Sequence, residues 1–296
     1  MRGDYAERMR AWAARAGARA QTVRYPRPEA RGEVCALRLA PRGEPRMRVV
    51  AAHGAGNDAV YPLLALFRAL LDAGAEVFSF DVDGHGVAST TVFARDAVRT
   101  SVAAAVRVAE AGAPELPLHV LGHSLGGALV LDALASGALD RAASAVVMSA
   151  PLRVDVDART VLGELRGFFR AATLAQREHY GLWGLVPALG PLKRAAYPFR
   201  RADASPGAWS YVDDVRALLR ELDLENAAAR IALPTLLVYG RADMLVRADQ
   251  GVRLAARAPG AELLMLDGAS HFGVPFHPAA VARTVEWMEA HAAVAA

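Results

Sequence analysis

Short apolar runs that lack the in-out alternation of a half-exposed strand recur along this chain: Met47 to Ala52, Val77 to Phe80, residues 117–121, Ser144 to Ser149, Thr235 to Tyr239 and Glu262 to Leu266. A strand that is apolar on both faces has to be covered on both faces. Longer runs with helical spacing lie between them: Ala59 to Ala73 stopping at Gly74, Asp96 to Ala111 ending at Gly112, Gly127 to Ala135, Ala248 to Ala258 and Pro278 to His291. Strands alternating with helices in this way predict an α/β fold with a mostly parallel central sheet and helices on both faces. Ahead of them, Asp4 to Ala20 reads as a helix with Tyr5, Met9, Trp12 and Ala16 on one face, and Glu33 to Leu39 alternates as a strand.

The rhythm breaks between Pro151 and Leu233. That stretch collects Phe168, Phe169, Tyr180, Trp183, Tyr197, Phe199, Trp209 and Tyr211, together with turn formers such as Gly190-Pro191 and Ser205-Pro206-Gly207. It predicts an inserted helical cap over residues 151–230, with residues 1–150 and 231–296 forming the core. Most of the aromatics are expected to fill the cap's own interior.

A chain of 296 residues, 54% hydrophobic and 22% charged, is long enough to bury a large core. The net charge of +3 and the absence of a basic stripe interleaved with aromatics argue against nucleic-acid binding. Cys35 is the single cysteine, so no disulfide within the chain and no cysteine-based metal cluster is possible. It is expected as a small buried residue within a strand. The first twenty or so residues are interrupted by arginines and carboxylates, unlike the apolar centre of a signal peptide, and no apolar run is long enough to span a membrane. A cytoplasmic protein with no cofactor is expected. The sequence leaves the oligomeric state open.

The chemistry is carried by Gly122-His123-Ser124-Leu125-Gly126, a G-x-S-x-G pattern set between a strand and a helix. A serine on a sharp strand-to-helix turn has its hydroxyl exposed at the end of the sheet, and small residues on either side allow the backbone to close up. A hydroxyl is a weak nucleophile at neutral pH and needs a base, with an acid behind that base. On this architecture the chain order is Ser, then Asp or Glu, then His. Asp243 follows the strand ending at Tyr239, and His271 follows the strand ending at Leu266. Asp249, Asp267, Asp213 and Asp214 are weaker acids by position. His53, His85, His119 and His123 precede or adjoin the serine, and His277 leads into the last helix. Charge developing on an acyl oxygen needs fixed N–H donors. The candidates are the backbone N–H of Leu125, just after the nucleophile, and that of Ala55 in the loop His53-Gly54-Ala55-Gly56, where His53 is expected to brace the turn.

Together these segments resemble the α/β-hydrolase superfamily, nearest to its monoacylglycerol lipase, lysophospholipase and serine aminopeptidase-like members. The resemblance rests on His53 to Gly56, Asp83-Gly84-His85-Gly86, Gly122 to Gly127, Pro234 to Asp243 and Gly268 to Phe272. It implies Ser124 as nucleophile, Asp243 as acid, His271 as base, Ala55 and Leu125 as oxyanion donors, and a structural role for Asp83 to Gly86. In the lipases the first loop continues with an acidic residue and a histidine, whereas here Asn57-Asp58 follows. The implied activity is hydrolysis of a small-molecule acyl ester through an acyl-enzyme. A thioesterase, acyltransferase, amidase or peptidase would use the same triad. A non-catalytic binding protein on this fold would usually have lost a triad member, and none is missing. A serine nucleophile disfavours epoxide hydrolase and dehalogenase chemistry, which needs a carboxylate there.

Overall fold

The computed structural model describes residues 2–295 apart from residues 61, 86–93, 112–114, 155–159, 161–162 and 165–207. Eight strands form one sheet: β1 (Arg19–Pro26), β2 (Glu33–Ala40), β3 (Met47–Ala52), β4 (Ala75–Phe80), β5 (Leu118–His123), β6 (Ser144–Met148), β7 (Thr235–Gly240) and β8 (Ala261–Leu266). Their order across the sheet is β1-β2-β4-β3-β5-β6-β7-β8. From β4 to β8 every neighbour is parallel, while β2 runs antiparallel to both β1 and β4.

The uninterrupted apolar runs are explained by two cores, one on each face. Along β6, Ala145 and Val147 join one cluster while Val146 and Met148 join the other; along β7, Leu237 and Tyr239 face one way and Leu236 and Val238 the other. The period of two is present, but both phases are buried. The first cluster is covered by α3 (Arg95–Glu110), α4 (Leu125–Ala135) and α5 (Ala208–Leu222), through residues such as Val102, Leu129 and Leu218. The second is covered by α1 (Arg2–Arg15), α2 (Leu64–Asp72) and α7 (Pro278–Ala295), through Trp12, Phe67 and Trp287. Between β7 and β8 lies α6 (Ala248–Arg257). Each fully buried Val or Leu contributes about 1.5–3 kcal/mol relative to exposure. Cys35 is buried in β2 as a free thiol.

The first helix is shorter than the sequence suggests. It ends at Arg15, Gly17 adopts a left-handed φ of 72°, and Arg19–Pro26 forms β1 on the sheet's edge. Most of β1 is at least partly exposed, so it carries no apolar pattern to announce a strand. Of the expected cap, Phe168, Phe169, Tyr180, Trp183, Tyr197 and Phe199 lie outside the described residues, as does Gly86 of the loop after β4. α5 packs Val215, Leu219 and Leu222 into the first cluster.

A buried charge pair lies within the sheet. Arg48 on β3 is 1% exposed and its Nε donates to Glu76 Oε1 at 2.7 Å; the two residues are in register on neighbouring parallel strands. Removing one partner of such a pair leaves a desolvated charge, at a cost of about 3 kcal/mol or more. Glu76→Ala is therefore expected to lower the urea unfolding free energy by about 3 kcal/mol. Unchanged stability would contradict this reading.

Candidate active site

The loops at the carboxyl ends of the parallel strands converge on Ser124, which links β5 to α4. Its φ of 54° and ψ of −122° lie outside the regions that L residues ordinarily occupy. Such a conformation costs about 1–3 kcal/mol and persists only where its surroundings impose it. Those surroundings are visible. The Ser124 N–H donates to Met148 O at 2.8 Å, and Ser124 O accepts from Ala128 N at 3.0 Å, which starts α4 immediately. A Cβ at position 126 would lie 2.2 Å from Ala52 O, and one at position 122 would lie 2.5 Å from Gly126 O. Glycine at both positions is thus a steric requirement of the turn.

Asp243 sits in the turn after β7. Its Oδ1 accepts the backbone N–H groups of Leu245 (3.0 Å) and Val246 (2.7 Å), and its Oδ2 accepts from His271 Nδ1 at 2.8 Å. The acid turn is joined to the histidine loop by Arg241 N–H to Leu266 O (2.9 Å) and Ala242 N–H to Ala269 O (3.1 Å). Gly240 makes this approach possible, since a Cβ there would meet Ala269 O at 2.2 Å. Burial disfavours the charged form of His271, but the charge of Asp243 and its hydrogen bond, with Glu164 beyond, outweigh burial and raise the imidazole above its ordinary value. With Nδ1 taken by Asp243, Nε2 is the nitrogen left to receive a proton. Ser124 and His271 line one cavity of about 170 Å³. No hydrogen bond joins Ser124 Oγ to the ring among the described residues; such contacts often tighten only when substrate is bound.

The other wall of the cavity is the turn Gly54-Ala55-Gly56-Asn57, closed by Asn57 N–H to Gly54 O at 3.2 Å. Gly56 has φ 73°, as the third position of a type II turn demands. The backbone N–H groups of Ala55 and Leu125 have no acceptor among the described residues, and both residues line the cavity with Ser124. His53 holds this turn from behind. Its Nε2 accepts from Val82 N–H (2.9 Å), so its Nδ1 carries the proton and donates to Gly54 O (2.7 Å). Burial pushes the His53 imidazole down to about 3, which keeps it neutral. Asp83 anchors the loop after β4: its carboxylate receives two N–H groups of Arg27 and, at 3.2 Å, the Ala94 N–H.

The rival residues lie elsewhere. Asp249 is exposed in the first turn of α6 and pairs with Arg247, and Asp267 is exposed and pairs with Arg241. His277 is half-buried before α7, and His119 bonds Ser144 Oγ within the sheet. His85 rests on the carbonyls of Asp83 and Val82. Asp213 is exposed beside Arg216 on α5.

Two residues gain parts that sequence order did not suggest. His123, inside the G-x-S-x-G pattern, is fully buried, bonds through Nε2 to His271 O (3.1 Å), and is held well below its ordinary value by burial and by the neighbouring imidazole. It is a neutral strut between the serine turn and the histidine loop. Glu164, from the stretch after β6, is 4% exposed and accepts the Met244 N–H at 2.8 Å beside the acid. Burial raises its carboxyl above the usual range, while the amides of Met244 and His271 pull it back. Nothing in the local sequence distinguishes Glu164 from a surface carboxylate; only the folded chain brings it here.

Residues 49–284 match the model of the alpha/beta hydrolase family. A pimeloyl-[acyl-carrier protein] methyl ester esterase of Xanthomonas campestris is 31% identical over 202 residues, covering 64% of this chain and 75% of that protein. A monoglyceride lipase of Rattus norvegicus is 26% identical over 258 residues, covering 78% and 77%. Among solved structures, an esterase of Pyrococcus furiosus superposes with a TM-score of 0.63 at 17% identity, covering 94% of each chain. A carboxyl esterase of Bacillus coagulans gives a TM-score of 0.66 at 14% identity, covering 92% of this chain and 99% of that one. This chain is a hydrolase and belongs to the alpha/beta hydrolase family.

Proposed function

We propose that this chain is a serine esterase that cleaves acyl esters of small molecules through an acyl-enzyme on Ser124. The observation that carries the reading is the buried Asp243–His271 hydrogen bond of 2.8 Å, set beside a serine in a strained turn on the same cavity. In this mechanism Ser124 Oγ attacks the acyl carbon while His271 Nε2 takes its proton. The acyl oxygen becomes negative opposite the N–H groups of Ala55 and Leu125. His271 then passes the proton to the departing alkoxide, leaving an ester on Ser124. A water deprotonated by His271 attacks that ester, and the proton returns to Ser124 as the acid product leaves. Asp243 keeps Nδ1 protonated, orients the ring and stabilises the imidazolium, without itself being protonated.

The cavity favours a substrate with a hydrocarbon portion. Its lining is largely apolar, with Val154, Val212, Val215 and Phe272 among the walls. The insertion at residues 151–230 is proposed as a cap over this opening. Hydrolysis of an oxygen ester is favoured over the thioester and amide alternatives because relatives at 31% and 26% identity are named as a methyl ester esterase and a monoglyceride lipase. No helix among the described residues is long and apolar enough to cross a membrane, and the proposed setting is the cytoplasm.

Purified protein should hydrolyse short- and medium-chain nitrophenyl esters, and a fluorophosphonate should label Ser124. Ser124→Ala should abolish turnover while unfolding near the same temperature. Absence of both esterase activity and labelling in the unaltered protein would refute the reading. The acid side of kcat/KM is expected to titrate above the ordinary imidazole value of 6.5, because the imidazole is raised and only its neutral form accepts the serine proton. Activity therefore falls as pH drops through that limb. Asp243→Asn should move the limb to lower pH, since burial then acts without the opposing charge, and should reduce kcat by about four orders of magnitude. A limb unmoved in Asp243→Asn would remove Asp243 from its proposed role.

A further inference from the structure

Three of the side chains that line the catalytic cavity among the described residues are polar: Asn57, Ser124 and His271. The mechanism above uses two of them. Asn57 is only 7% exposed, and it stands at the position where the resemblance to the lipases leads one to expect a carboxylate. Its backbone is committed to the turn, through its N–H to Gly54 O at 3.2 Å. Its side-chain amide has no hydrogen-bond partner among the described residues.

The amide lies close to the nucleophile. A Cβ placed on Gly54 would come within 2.8 Å of Ser124 Cβ, 3.1 Å of Asn57 Nδ2 and 3.3 Å of His123 Nδ1. One small space, kept open by a glycine, is therefore bordered by the serine and by the Asn57 amide nitrogen. His123 donates through Nε2 to His271 O, and its Nδ1 receives no bond. The Asn57 donors are thus left to the cavity. An amide with unused donors in an apolar pocket is costly unless a ligand atom or water satisfies it. The substrate atom that gains acceptor strength during attack is the acyl oxygen, which already faces the N–H of Ala55 from the same turn.

We propose that Asn57 is a catalytic residue, its Nδ2 donating a third hydrogen bond to the acyl oxygen as Ser124 Oγ adds to the carbon. The inference rests on the esterase reading. No bond to Asn57 forms or breaks covalently; the donor meets charge that exists only after attack. It therefore acts mainly on kcat, as an interaction stronger in the transition state than with bound substrate.

Asn57→Ala and the isosteric Asn57→Asp test the proposal with p-nitrophenyl butyrate and with a fluorophosphonate. The phosphonyl oxygen of that reagent takes the place of the acyl oxygen. Both variants should lose about a hundredfold in kcat and in the rate constant for labelling Ser124, with KM changed by less than about threefold and unfolding temperatures near that of the parent. If either variant keeps kcat and the labelling rate within about threefold of the parent, or if the loss falls on KM alone, the donor role is wrong. Activity retained in Asn57→Asp but lost in Asn57→Ala would identify the side-chain oxygen as the useful atom and would equally overturn it. A parent protein not labelled at Ser124 overturns both this inference and the esterase reading. A labelled parent with unaffected variants overturns this inference alone.

Discussion

A side chain at position 122 or 126 would overlap the backbone opposite it, and the rest of the site follows from that close approach. With glycine at both places, α4 starts one residue after β5 ends and its first turn packs against the carbonyls at the end of β3. Ser124 is then held at φ 54° in the corner, with the Leu125 N–H, which has no acceptor among the described residues, behind it at the helix start. The strain of about 1–3 kcal/mol at that residue is offset by the sheet on which it stands. β3, β5 and β6 are buried on both faces, so the strand ends that grip the turn have little freedom to shift. Rigidity in the sheet thereby becomes precision at Ser124.

Electrostatics sort the histidines near this corner into two kinds. His53, His85 and His123 are buried with their rings hydrogen-bonded to backbone groups, and burial lowers all three. They remain neutral and act as braces, each fixed to backbone carbonyls. His271 is just as buried, yet Asp243 reverses the direction of its shift. The difference is a single hydrogen-bonded carboxylate, itself held by two backbone N–H groups of its own turn. Glu164 adds further negative charge near the same ring and ties the stretch after β6 to the acid turn through Met244. Gln250 on α6 makes a similar tie, accepting the N–H groups of Leu152 (2.7 Å) and Arg153 (3.1 Å). The stretch after β6 is thereby pinned beside Asp243.

The parallel part of the sheet was legible because strands buried on both faces write themselves as continuous apolar runs, and the serine turn because its steric demand can be met only by glycine. The pairing of Asp243 with His271 followed from chain order. β1 was not legible: an edge strand with largely exposed side chains has no apolar period, and only its first two residues, Arg19 and Ala20, fall within a predicted element, the end of the first helix. Asn57 and Glu164 were missed for a different reason. Each is an ordinary polar residue in a loop or helical turn, and its significance lies in what folds next to it from far away in the chain. His123 was set aside because it precedes the serine, a sound argument against a base but silent about a strut. The aromatics of the expected cap from Phe168 to Phe199 lie outside the described residues.

The proposed reaction depends on a single geometry: Ser124 as the attacked atom's new partner, with the N–H groups of Ala55 and Leu125 turned toward the oxygen that becomes charged. A crystal structure of the protein after reaction with a fluorophosphonate examines that geometry directly. The expected result is phosphorus bonded to Ser124 Oγ and its free oxygen within hydrogen-bonding distance of both backbone N–H groups, with the His271 ring still on Asp243. Phosphorus attached to any other side chain, or an oxygen turned away from both N–H groups, would contradict it.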